Sequence, residues 1–209
     1  LRTFALALRE AENWDKSPLI GPNVFLTAPD KEGISESLRE LTTIAALEEY
    51  EGKRQEWTGI LEGELAKARA VQIESPSLKY REAEQAVVAT FLHSQPIGQK
   101  ALTSELMVLL GPTRPDKIEL EKALKRWADV SWFLDEGFIS EGGKTADGRL
   151  QMPKSWRLGS KPNLRQMHHT GKSRVSPDLI EFQGTMEEDG IFFHQDFSIH
   201  SHRRAVLSP

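Results

Sequence analysis

Gly143, Lys144 and Thr145, in GFISEGGKTADG (residues 137–148), are the residues whose types and order could bind a nucleotide. A phosphate loop needs Gly, four residues, then Gly-Lys-Ser/Thr, with a strand entering and a helix leaving whose N-terminus faces the phosphates. Here the leading position is Phe138, and the sequel TADGRLQMPKSWRLG contains an Asp147-Gly148 turn and Pro153, which bars a helix interior. The stretch therefore reads as a glycine-rich turn with a lysine at its tip.

A second chemistry is carried by charge. From residue 142 to 174 the chain places Lys144, Arg149, Lys154, Arg157, Lys161, Arg165, Lys172 and Arg174 against a single carboxylate, Asp147. Such a stripe can neutralise phosphates, so Lys144, Arg149, Lys154, Arg157, Lys161 and Arg165 are candidate nucleic-acid contacts, with nucleic acid the natural partner and double-stranded DNA one candidate. The whole chain is at −4, so binding has to be local. The alternative is a solvated loop, or a surface that meets the acidic first region.

The elements around this stripe follow from apolar periodicity. Ala83, Val87, Val88, Phe91 and Leu92 mark one helix; past Pro96-Ile97-Gly98, Leu102, Leu106, Leu109 and Leu110 mark a second. Asp116, with Glu119 three residues on, starts a third, whose stripe is Leu120, Leu124, Trp127, Ser131 and Leu134 and whose end is Gly137. Two strand signals follow, Phe138-Ile139 and Leu150 to Leu158, with GGKTADGR as the tip between them. Three helices and then a hairpin is the winged form of the helix-turn-helix, which makes residues 79–170 a winged-helix domain and GFISEGGKTADG its wing. The third helix shows Glu119, Lys122, Lys125, Arg126 and Asp129 outward, a mixed face poorly suited to a major groove. Backbone contact by the wing with little base reading is expected, or else protein docking by that helix.

Residues 1–78 read as a helical, lid-like region. Leu1, Phe4, Ala5 and Leu8 share a face of an opening helix; Ser37-Leu-Arg-Glu40 is a capping-box pattern before Leu38, Leu41, Ile44 and Ala45; Gly52 interrupts; Trp57, Ile60, Leu61, Leu65 and Ala68 then recur at helical spacing until Pro76. Arg2 is a candidate nucleotide sensor for a pocket outside this chain. Trp14, Trp57, Trp127, Trp132 and Trp156 are expected in packing roles rather than as base-stacking platforms. Residues 171–209 read as a linker and the start of a β segment: Phe193, Phe197 and Ile199 alternate with His194, Asp196, Ser198 and His200, and His202 continues the polar face. Period two spaces neighbouring histidines about 7 Å apart, so a solvent-facing edge is favoured over a metal site. The fold class expected is mainly α with a small β component.

Composition bounds the rest. The chain has no cysteine and no long apolar run, which excludes disulfides and thiolate metal sites and argues against a membrane protein; with no signal-peptide pattern, a cytoplasmic location is expected. The opening LRTFALALREA starts inside a helical pattern, as a piece of a longer protein would.

VVATFLHSQ, ALTSELMVLLGPTRPDKIELEKALKRWADVSWFLDEG and WRLGSKPNLRQM also resemble a segment of the large, uncharacterised P-loop ATPases that bacteria encode beside DNA methyltransferases in phage-defence and restriction-like clusters, including the BREX-type ATPases. The sharpest motif runs from Trp156 through Pro162-Asn163-Leu164. The resemblance implies an accessory module downstream of a nucleotide core. This chain would then be no enzyme and carry no cofactor. ATP and Mg would belong to the parent ATPase, with the rest of that ATPase as a partner and a DNA methyltransferase or defence-cluster proteins as candidate partners. A free-standing transcription regulator is the weaker alternative.

Overall fold

The computed structural model describes residues 1–44, 49–50, 53–54, 57–94, 99–135, 152–164 and 167. Contacts divide the chain into residues 1–170 and residues 171–209, and the latter, with the histidine-bearing segment, lie outside the described residues. So do Gly52, Pro96-Ile97-Gly98, Phe138-Ile139, the Gly143-Lys144-Thr145 run and the rest of the segment expected to form a wing.

The structure is mainly helical with a small β component. The helices are α1 (Arg2–Ala11), α2 (Glu36–Ile44), α3 (Trp57–Ile73), α4 (Glu82–Ser94), α5 (Thr103–Leu110) and α6 (Lys117–Val130). Short strands pair antiparallel: β1 (Glu49–Tyr50) with β2 (Lys53–Arg54), and β3 (Ala101–Leu102) with β4 (Ser155–Trp156). Beyond β4, Leu158 bridges Leu134 antiparallel. One buried cluster runs from Leu26 to Leu158, so the boundary expected near residue 78 falls inside a shared core.

Helix α4 is the centre of that core. Its run AEQAVVATF is buried on every side, from Glu82 to Phe91, against α3, α5, α6 and a 3-10 turn at Pro22–Phe25. The stripe on α3 is buried as its spacing requires, at Trp57, Ile60, Leu61, Leu65 and Ala68. Asp116 caps α6 by accepting the Glu119 N–H at 3.0 Å, and Leu120, Leu124, Trp127, Ser131 and Leu134 are buried. Trp57, Trp127 and Trp156 lie in the core, while Trp14 and Trp132 are half-buried beneath cations, Arg81 at 5.5 Å and Lys67 at 4.4 Å from the ring centroids.

Four expectations are corrected. Helix α1 buries Ala7 and Ala11 rather than Leu1, Phe4 and Ala5, because small residues let it approach α2 closely enough for the Glu10 carboxylate to accept the Glu36 and Ser37 N–H groups at 3.3 and 3.2 Å. The cap of α2 is Ser35, whose Oγ accepts the Leu38 N–H at 3.1 Å; Ser37 is buried in the first turn. Leu102 is half-exposed in β3 rather than on a helical stripe, since its N–H is taken by the Glu105 carboxylate at 2.8 Å. Helix α6 stops at Val130, well before Gly137. There Ser131 turns extended, its Oγ accepts the Phe133 and Leu134 N–H groups, and the Trp132 N–H goes to Glu64 instead of the preceding helical turn.

Glu64 is the unanticipated core residue. Its side chain is 0% exposed, and its oxygens accept from Trp127 Nε1 at 3.0 Å, Trp132 N at 3.2 Å and Lys67 Nζ at 2.8 Å. Trp127 also stacks on Trp156, centroids 5.6 Å apart and rings 6° from parallel. Trp127→Ala should therefore lower the unfolding free energy by about 3–5 kcal/mol, measured by urea denaturation; a loss below about 1 kcal/mol would place the ring outside the core.

Candidate nucleic-acid interface

Strand β4 positions the described part of the basic stripe. Ala101 faces Trp156 and Leu102 faces Ser155, while on the other side Leu134 faces Leu158. Strand β4 and its continuation thus run between β3 and the segment around Leu134. Trp156 and Leu158 point into the core, so the period of two sends Ser155 and Arg157 to the opposite face.

Side chains anchor this strand at both ends. The Thr103 N–H donates to the Lys154 carbonyl at 3.0 Å, the Thr103 hydroxyl donates to the Pro153 carbonyl, and Trp156 Nε1 donates to the same hydroxyl oxygen at 2.8 Å. The Leu158 N–H donates to Ser94 Oγ at 3.2 Å, and the Gly159 N–H to the Phe133 carbonyl at 2.8 Å. Farther on, buried Asn163 donates Nδ2 to the Leu134 carbonyl at 3.3 Å, and its N–H goes to the Trp132 carbonyl. The Trp156-to-Asn163 motif therefore closes the end of the fold.

Of the candidate contacts, Lys154 and Lys161 are exposed and Arg157 is half-buried, all on or beside this strand; Lys144, Arg149 and Arg165 lie outside the described residues. Arg157 sits in a row. Its carbonyl accepts the Asp135 N–H at 3.1 Å, and the β3 register brings Lys100 level with it on the other side. Lys100 Nζ approaches the Asp135 carboxylate to 4.0 Å, although Arg157 stands between them in the strand order. Arg157 Nε is buried without a hydrogen-bond partner. Lys100 was not legible as part of this group, since only pairing between distant segments brings it there.

The helix faces differ. Each of the four cations of α6 faces a carboxylate: Lys122–Glu119 at 2.8 Å, Lys125–Asp129 at 3.6 Å, Lys117–Glu121 at 3.9 Å and Arg126–Glu74 at 3.8 Å. The N-termini of α5 and α6, where phosphates could sit, are taken by Glu105 and Asp116. Ile118 stands 64% exposed on α6. Arg2 projects from α1 with its side chain 91% exposed, 3.7 Å from Glu40 of α2, a solvated pair of small energetic weight.

Among the described residues no group of three or more His, Asp or Glu side chains could hold a metal ion, and no helix is long and apolar enough to cross a membrane. No family model matches the chain, and neither does any curated protein or any solved structure.

Thr103→Val removes the acceptor of the Trp156 indole N–H and the donor to Pro153 while keeping the side-chain shape. It should lower the unfolding free energy by about 1–3 kcal/mol, whereas Thr103→Ser should keep most of it. Equal stability of the valine variant and the wild type in urea titrations would show that this hydroxyl anchors nothing.

Proposed function

We propose that residues 79–170 are a winged helix-turn-helix serving as an accessory module of a larger bacterial ATPase that acts on or near DNA in phage defence, and that it contacts duplex backbone through its basic wing without reading sequence. The observation that carries the winged-helix reading is the strand order: β4 and its continuation run between β3 and the Leu134 segment, so residues 136–154 connect two neighbouring antiparallel segments, as a wing does. Lys144, Arg149 and Lys154 of the basic stripe belong to that connection, Arg157 to the strand it returns to, and Lys161 and Arg165 to the segment after it. The link to the ATPase family rests on the motifs quoted above. In this reading the module is not itself an enzyme; ATP and Mg are bound by the parent protein, and the location is cytoplasmic.

The charge-paired face of α6 supports phosphate contact by the wing rather than groove reading by that helix, because carboxylates beside phosphates cost binding energy. The same face, with exposed Ile118, favours a second reading in which α6 docks onto the ATPase core or onto a methyltransferase partner.

A salt series separates the two. Under the first reading, duplexes of unrelated sequence bind similarly, and log K falls against log salt with a slope of about −0.9 per phosphate neutralised. Replacing Lys144, Arg149 and Lys154 together by alanine flattens that slope by roughly two to three units, while Lys122→Ala with Arg126→Ala changes it little. Absence of duplex binding near physiological salt, with loss of ATPase-core pull-down in the α6 double variant, would overturn the DNA reading in favour of docking.

A further inference from the structure

Arg157 differs from the other candidate contacts in its surroundings. Lys154 and Lys161 are exposed to water, whereas Arg157 is half-buried, with Nε wholly out of solvent and unpartnered. Among the described residues no carboxylate comes within ion-pair distance of its guanidinium. The nearest in the strand order, Asp135, approaches Lys100 instead, so the row Lys100, Arg157, Asp135 holds two cations against one carboxylate. Burying one N–H donor of a cation with no acceptor opposite it is costly, while the rest of this half-buried guanidinium stays open to a ligand. The backbone beneath it is fixed: its own carbonyl is bonded to Asp135, the next N–H to Ser94, and both flanking side chains, Trp156 and Leu158, are in the core.

We infer that Arg157 is the principal phosphodiester anchor of this face, receiving a non-bridging oxygen pair of a nucleic-acid backbone on its guanidinium fork while Lys154 and Lys161 add only screened charge. The inference rests on the nucleic-acid reading above and deepens it. A planar fork matches the tetrahedral oxygens two at a time, and a half-buried stem on a fixed strand has less freedom to lose on binding than a fully exposed one. The exposed lysines present point charges without a fork, so each contributes mainly counterion release.

Anisotropy titrations of a labelled mixed-sequence duplex, with single variants, test the ranking. Arg157→Ala should weaken binding roughly tenfold, against about two- to threefold for Lys154→Ala or Lys161→Ala. Arg157→Lys should keep the wild-type salt slope, since the charge remains, yet recover little of the affinity, since the fork is gone. In the protein alone, Arg157→Gln should leave the urea midpoint unchanged or raise it, because no partner is lost. A fall in that midpoint would show the guanidinium already paired in the free protein and would overturn the inference. Duplex binding by the wild type with Arg157→Ala no worse than the lysine variants would overturn it alone; no duplex binding by the wild type would overturn it together with the nucleic-acid reading.

Discussion

A carboxylate buried between two tryptophans and a lysine governs how this fold is joined. Glu64 projects from α3 into the core at 0% exposure, and its two oxygens satisfy the Trp127 indole, the Trp132 backbone and Lys67. A buried charge is tolerated only when hydrogen-bonded on this scale. Its oxygens reach α6 and the turn beyond it from a helix of the first region. The contact continues through stacked rings from Trp127 to Trp156, and from the Trp156 indole to Thr103 at the start of α5. A polar and aromatic chain thus ties α3, α6, β4 and α5 together across the apolar core that runs from Leu26 to Leu158.

That constraint sets the geometry of the outer surface. By taking the Trp132 N–H, Glu64 ends α6 at Val130, which frees Leu134 to bridge Leu158 and so flanks the strand bearing Arg157. The core face of that strand is occupied by Trp156 and Leu158, leaving only the outer face for the cation. Helix α6 meanwhile has each of its cations opposite a carboxylate, three on the helix itself and one at Glu74. Arg157 on the sheet thus faces no carboxylate among the described residues, whereas each cation of α6 faces one.

The features legible in the sequence were those decided by neighbours along the chain. The α3 stripe from Trp57 to Ala68, the α6 stripe from Leu120 to Trp127 and the Asp116 cap depend on spacings of three and four residues, and each lies where its spacing puts it. Features decided at long range were not legible. The end of α6 depends on a carboxylate 68 residues earlier, the cap of α2 shifts because Glu10 of another helix takes the Glu36 and Ser37 N–H groups, and Lys100 joins Arg157 only through the β3–β4 register. A glutamate in an apolar helix face carries no local sign of whether it is buried. For the candidate site, the residue types of the stripe were legible, but not which of its cations would be desolvated, since that depends on what packs beneath the strand.

The dependence on Glu64 is most directly measured by a double-mutant cycle in urea, combining Glu64→Met, which keeps bulk without an acceptor, with Trp127→Phe, which keeps a ring without a donor. Each single change leaves a buried polar group without its partner, while the double change removes both, so the double variant should be more stable than the sum of the singles by about 1–3 kcal/mol. Additivity within about 0.5 kcal/mol would mean that the two side chains do not depend on each other, and that Glu64 is not what fastens α6 to the first region.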